Sequence, residues 1–380
     1  ADVAYVAGQA YAIRALCYLN LATWFSRAPY NSLTGASRWN EPCVPVYTTG
    51  TSIDTGGQPR ESLRTVYGRI DQDIDRAIEL LEKARETTLA ENNKSHINLY
   101  VALGIKSRAC LAEGDWDGAF KAAKRVIDEG GYAVGTKSDL TSGMNSLDKQ
   151  NVMWGAGIQV ADQAGGYAGF FTHMDNKEGA YAKSAPKLIS KQLYNRISAT
   201  DIRRDWWDPS DKESPYVSKK FSFANVASFL GDYIYMRVEE MYFTAAEAAL
   251  RSENLPNNVQ VARDLMNTVM AERDTRYNAN NRSGLNLGAT TTTWTGSLLE
   301  DILIQRHIEL WGEYGRLFDV RRLGQGIDRR ADDGFSEECL SGMSRRNVDL
   351  TKADTYDWVM TIPQDEINAN PNINEEDQNP

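Results

Sequence analysis

The stretch SRACLAEGDWDGAFKAAKRVID, Ser107 to Asp128, decides the architecture. Small Ala109 stands one turn ahead of a break made by Gly114 and Asp115. Trp116 follows, and Ala119, Ala122, Ala123 and Val126 then recur at helical spacing. Small side chains at these positions let two antiparallel helices approach closely, and the aromatic fills the gap beside the next pair. One such hairpin cannot bury its own apolar face, so partners must lie elsewhere in the chain.

The pattern is that of a tetratricopeptide hairpin, and three looser pairs accompany it. AYAIRALCYLNLATWF precedes LRTVYGRIDQDIDRAIELLEKA, in which Ile70, Ile74, Ala77, Ile78 and Leu81 share a face. EEMYFTAAEAALRSE precedes VQVARDLMNTVMAERD. SLLEDILIQRHIELWGEYGRLFDVRRLG reads as one long last helix, with Leu303, His307, Leu310, Trp311 and Tyr314 at three and four spacing. The fold class is therefore mainly α, an α-solenoid scaffold of roughly four hairpins.

The scaffold is interrupted. Residues 1–134 read as N-terminal hairpins and 135–235 as an irregular, aromatic-rich insertion with short apolar runs such as NVMWGAGIQV that suit strands. Residues 236–323 return to hairpins, and 324–380 form an irregular segment expected to pack on the scaffold. A further irregular stretch runs over 276–296. An insertion of this length in a regular array is where binding is to be sought.

Composition narrows the partners. Hydrophobic residues make up 42% of the 380 residues and charged residues 25%. No window holds ~20 uninterrupted apolar residues, the most apolar candidate being broken by Arg14. A net charge of −10 with interleaved cations repels phosphate backbones, so nucleic acid is excluded as a partner class. Cys17, Cys43, Cys110 and Cys339 lack CxxC spacing, and Cys17 and Cys110 read as buried helical thiols. His96, His173 and His307 do not stand at metal-ligand spacing, and no HExxH or GxSxG occurs. No cofactor, metal or catalytic residue is expected.

Across nearly its whole length the order of motifs resembles the SusD/RagB family. AxAxRAxxYxxL is Ala10, Ala12, Arg14, Ala15, Tyr18 and Leu21, closing on Pro29 and Tyr30. Asp73, Ala77, Ile78 and Leu81 match a D-x-x-x-A-I-x-x-L helix. GGY is Gly130 to Tyr132, NVMW is Asn151 to Trp154, and D-x-R is Asp201 and Arg203. RVEEMYFTAAEA, QRHIELWGEYGRLFDVRRLG and the closing IPQDEINANPNINEEDQNP are the most specific matches. Gln305 stands where the family has Glu, and Glu239 where it has Ala. The resemblance implies a non-enzymatic, lipid-anchored protein on the outer face of the outer membrane. It would capture oligosaccharide or polysaccharide for a SusC-like TonB-dependent transporter. It also implies a lipidated cysteine and a region ahead of the first helix, outside this sequence. Two other readings are a peptide-capturing relative and a generic tetratricopeptide protein-interaction module.

A glycosidase needs two carboxylates facing each other at ~5 to 9.5 Å. Glu309, Glu313 and Asp319 are the densest acids, but Arg306 and Arg316 stand three residues from them, which reads as ion pairs along one helix. A sugar ring has an apolar C–H face and a rim of hydroxyls, so its site needs flat aromatics beside amides and carboxylates. DQAGGYAGFFTHMDNKEGAY supplies that mixture. Tyr167, Phe170, Phe171 and Trp207 are the candidate platforms, with Asp175 and Asn176 as polar neighbours and Trp39 as an outlying aromatic. Trp116, Trp154 and Trp311 are assigned to packing.

Overall fold

The computed structural model describes residues 1–48, 50–52, 54–85, 93–162, 168–328, 349–352 and 354–380. The fold is mainly helical. Helices α1 (Asp2–Phe25), α2 (Leu63–Lys83), α3 (Leu99–Glu113) and α4 (Trp116–Glu129) form the first half of the array. The insertion carries short helices α5 (Lys137–Leu140), α6 (Phe170–Met174), α7 (Ala180–Ser184) and α8 (Lys191–Tyr194). The array resumes with α9 (Val238–Arg251), α10 (Asn258–Ala271), α11 (Leu298–Glu309) and α12 (Arg316–Leu323), and α13 (Gln364–Ala369) lies near the end.

Neighbours in the array follow the chain: α1 packs on α2, α2 on α3, α3 on α4, α4 on α9, and α9 on both α10 and α11. The α3–α4 hairpin forms as its sequence requires. Gly114 caps α3 at φ +77°, a conformation that suits glycine, and the Asp115 side chain starts α4 by accepting from the Gly118 amide at 2.9 Å. Ala109, Ala119, Ala122 and Ala123 are buried between the helices. Trp116 sits at the edge of the hairpin, with the Arg251 guanidinium 4.6 Å from its ring and Tyr30 in edge contact at 6.0 Å.

The insertion is better organised than its sequence suggests. Strands β1 (Val152–Ala156) and β4 (Tyr233–Arg237) pair antiparallel, with an irregular register between Val152 and Gly155. Strands β2 (Trp207–Asp208) and β3 (Val217–Ser218) form a second small pair. Two satellite cores hold the lobe to the scaffold. One gathers Leu140, Leu193, Trp206 and Trp207 against Ile304 and Ile308 of α11, and the other gathers Met144, Phe171, Phe221 and Phe223.

Three expectations need correction. The last long helix is broken: α11 ends at Glu309, and Gly312 and Gly315 take φ +77° and +117° before α12 begins. A Cβ on Gly312 would also lie 2.5 Å from the Phe221 ring. The acids of this stretch do not all pair along one helix: Asp319 keeps an i,i+3 partner in Arg322, but the break turns Glu309 and Glu313 towards cations from other segments. Glu309 accepts from Arg237 and Arg273 at 2.8 to 3.1 Å and pairs with Arg203 at 3.3 Å. Asp319 pairs with Arg306 and Arg322. Cys17 is exposed on α1, whereas Cys110 and Cys43 are buried; Cys339 lies outside the described residues.

The buried charges form two networks, one around Glu309 and one running from Arg108 through Glu240, Arg306 and Asp319 to Arg322 and Glu247. Glu239 joins Arg237 and Arg273, Glu240 takes a bidentate bond from Arg108 at 2.7 Å, and Glu247 takes one from Arg322 at 2.7 and 2.8 Å. Burial opposes the charge of Glu309, but Arg273 and Arg237 outweigh it and hold the carboxyl well below the usual range. Removing one partner strands the others without water, so Glu309→Ala is expected to cost about 3–5 kcal/mol in guanidinium unfolding.

At the far end of α3 the opposite situation holds. Burial, aided by Asp71 and Asp115, pushes the Glu113 carboxyl up to about 8. A carboxyl raised on folding contributes stability that is fully present below its unfolded value and lost as pH rises through its folded one. Unfolding free energy is therefore expected to fall between pH ~5 and about 8, and the fall to be smaller in Glu113→Gln, read by denaturant melts across that range.

Candidate functional site

An open cavity of about 460 Å³ lies where the insertion meets the scaffold. Its aromatic wall is Trp154 of β1 and Tyr235 of β4, whose rings meet edge to face at 5.0 Å on the small sheet. Tyr235 is 41% exposed, and Trp154 is half-buried. Phe170 forms the floor, held by edge contacts to Phe171 at 5.1 Å and Phe221 at 5.4 Å and leaning on Tyr233 at 5.8 Å. Leu16 and Asn20 of α1 close one side, and Gly312, Glu313 and Tyr314 of the broken helix another.

The polar groups of the cavity are fixed before any ligand arrives. The Arg108 guanidinium is bound by Glu240, donates to the Tyr235 carbonyl at 3.1 Å and lies 3.8 Å over the Tyr314 ring. Tyr314 Oη donates to Asn20 Oδ1 at 3.3 Å. Glu313 accepts from Arg237 at 2.8 Å and from Lys220 at 2.6 Å. Burial works against its charge, but those two cations keep its carboxyl below the usual range. Lys220 also donates to the carbonyls of Glu309 and Trp311, which holds the end of α11 in place. A carboxylate so saturated is a poor general acid, and the cavity offers preset aromatic faces and hydrogen-bonding groups. Among the described residues no group of three or more His, Cys, Asp and Glu side chains could hold a metal ion.

A family model of the SusD family matches residues 174–380. The chain belongs to the SusD family. A SusD-like carbohydrate binding protein from Bacteroides vulgatus shares 25% identity and superposes with a TM-score of 0.72, over 97% of this chain and 76% of its own. A SusD superfamily protein from Bacteroides thetaiotaomicron does so at 24% identity and 0.75, over 100% and 78%. Surface glycan-binding protein A from Bacteroides uniformis shares the fold at 16% identity and 0.65, over 98% and 77%. No curated protein matches this chain.

Within this SusD scaffold the residues singled out from the sequence are dispersed. Phe170 lines the cavity. Phe171 is beneath it, 2% exposed, and belongs to a satellite core. Trp207 is 1% exposed, wedged edge to face between Trp206 at 5.7 Å and Trp311 at 6.0 Å; this removes it as a stacking platform. Asp175 is buried and accepts from the amides of Lys177, Glu178 and Phe223, each at 3.0 Å, so it shapes the chain around α6. Asn176 clamps two segments, donating to the Ser218 carbonyl at 2.7 Å and accepting from the Lys187 amide at 2.8 Å. Trp39 packs on Tyr67 and under Arg64, on the scaffold. Tyr167 lies outside the described residues.

Of the rings that line the cavity, the sequence assigns Trp154 to packing and does not single out Tyr235. Trp154 does pack, as expected, but one face of it opens to the cavity. The signal for Tyr235 was the alternation in Tyr233-Ile234-Tyr235-Met236 just ahead of α9, which leaves Tyr235 exposed and Met236 buried. The burial difference is testable by thermal or denaturant melts. Trp207→Ala is expected to cost about 3–5 kcal/mol of stability, and Tyr235→Ala to leave the melt nearly unchanged.

Proposed function

We propose that this SusD-family protein captures an oligosaccharide in the cavity walled by Trp154 and Tyr235 and delivers it to a SusC-like TonB-dependent transporter at the outer membrane. The observation that carries the reading is the pair of aromatic rings held by neighbouring strands above a cavity whose polar groups are already positioned. An exposed aromatic face accepts the C–H side of a sugar ring, and the Asn20 amide and the Arg108 and Tyr314 groups suit hydroxyls at its rim. The printed descriptions of two structural relatives, a carbohydrate binding protein and a surface glycan-binding protein, agree with this chemistry. Association with the outer membrane through a lipid anchor follows from the family reading, and no helix among the described residues is long and apolar enough to cross a membrane.

The protein acts by binding alone. Its densest carboxylates are tied up in ion pairs, so it is expected to release no reducing ends from a glycan it binds. A glycan array identifies the ligand, and titration calorimetry then measures it. By analogy with aromatic stacking on nucleic-acid bases, Tyr235→Ala is expected to weaken affinity by about 1–3 kcal/mol, five- to more than hundredfold. Unchanged affinity in both Tyr235→Ala and Trp154→Ala places the ligand elsewhere. Binding of peptides and of no glycan assigns the scaffold to peptide capture instead. Co-purification of a large β-barrel from native membranes tests the transporter.

A further inference from the structure

The two sides of the aromatic cavity differ in chemistry. Its scaffold side carries polar groups, from Asn20 of α1, Arg108 of α3 and Tyr314 beyond α11. Its insertion side is made by Met144, Phe170 and Phe221, which pack together in one satellite core. Met144 is 5% exposed and Phe221 3%, so a ligand group that reaches them leaves water. Tyr233 leans on Phe170 on this side, and its hydroxyl accepts from the Phe170 amide at 3.3 Å. Met144 is held through the backbone. The Gly143 carbonyl accepts from the Ser222 amide at 3.1 Å, and the Asn145 carbonyl accepts from the Asp232 amide at 2.9 Å. The apolar side is therefore as preset as the polar one.

An unsubstituted sugar fits such a cavity poorly. It carries a hydroxyl on nearly every carbon of its rim. A ring stacked on Trp154 and Tyr235 with hydroxyls towards Asn20 turns others towards Met144 and Phe221, where they give up water and gain no partner. A methyl group in that position loses nothing and gains contact with the thioether and the ring edges, and the unbranched Met side chain adapts to it. Charge narrows the ligand further. Arg108 is already paired with Glu240, and Lys220 and Arg237 with Glu313, so an acidic sugar finds no unpaired cation among them. Resting on the carbohydrate reading of the cavity proposed above, we infer that the sugar captured is neutral and bears a methyl group, that of an acetyl substituent or of a 6-deoxy carbon, seated against Met144, Phe170 and Phe221.

A glycan array comes first, and its expected hits share an acetylated or 6-deoxy sugar. Titration calorimetry then compares probes that differ at that group alone. These are fully N-acetylated chitotriose against cellotriose, methyl α-L-fucoside against methyl α-L-galactoside, and any O-acetylated hit against its saponified form. In the pair that the array selects, the methyl-bearing member is expected to bind about 10- to 200-fold tighter, the range one apolar group commands in a hydrophobic pocket. Asn suits the φ of +49° that Met144 adopts, so Met144→Asn puts an amide on the apolar side without a new backbone demand. It is expected to shrink that ratio by about tenfold, whereas Tyr235→Ala weakens both members alike. Array hits built wholly of unsubstituted or acidic sugars, or equal affinity within the selected pair, overturn the inference and leave glycan capture standing. An array without hits overturns both. An unchanged ratio in a Met144→Asn protein whose thermal melt shows it folded overturns the seat of the methyl group. The pair comparison itself is made on the unaltered protein and needs no variant.

Discussion

Glu309 carries its charge where four separate segments of the chain meet. Arg203 comes from the insertion, Arg237 from the last position of β4, Arg273 from just beyond α10, and Glu309 itself ends α11. All four side chains are buried completely, so each charge is tolerable only when the others are present. The system extends to Glu239, which bonds the Gly135 amide at the start of the insertion, and to Arg273, which donates to the Gly135 carbonyl. Apolar packing would hold these segments together without fixing their alignment. A bidentate guanidinium fixes distance and angle together, which is how a lobe of short strands and single-turn helices comes to be docked in one position.

The cavity depends on the same system through Glu313. Arg237 bonds both Glu309 and Glu313, and Lys220 bonds Glu313 while donating to the carbonyls of Glu309 and Trp311. The chain between these acids is the turn at Gly312, where positive φ and the approach of Phe221 exclude a Cβ. A continuous helix through 297–324 would carry Glu313 and Tyr314 round with its own periodicity. The break instead places Tyr314 under Arg108 and beside Asn20, on the wall of the cavity. Neutralising Lys220 or Arg237 therefore disturbs the cavity through Glu313 and the turn at Gly312.

The scaffold was legible because its signals are local and periodic. Alanines and glycines at three and four spacing imply close helix pairs, and Gly114-Asp115 implies the turn between them; both hold to the residue. The break at Gly312 was not legible, since Leu310, Trp311 and Tyr314 keep helical spacing across it and two glycines within a helical pattern are a weak stop. The direction of the acids was lost for the same reason. Arg306 and Glu309 are three apart, but Arg306 bonds Asp319 and Thr244 on other segments, and spacing along one helix carries no information about cations from elsewhere.

The site was half legible, and the physical reason is that composition reports aromatic density and not which side of a lobe each ring occupies. Phe170 and Phe171 are adjacent, yet one faces the cavity and the other the core, because a single turn of helix sends neighbouring side chains about 100° apart. Trp206 and Trp207 face the same interior only because the chain passes from a 3-10 turn into β2 between them. The exposed ring was supplied by a strand. In β4 Met236 points to the buried face while Tyr235 before it stands outside, Arg237 is buried as the chain enters α9, and the irregular register of β1 sets Trp154 beside Tyr235. The charge system and the aromatic wall thus share one strand: Arg237 anchors the end of β4 to Glu309, and two residues earlier Tyr235 stands at the mouth of the cavity.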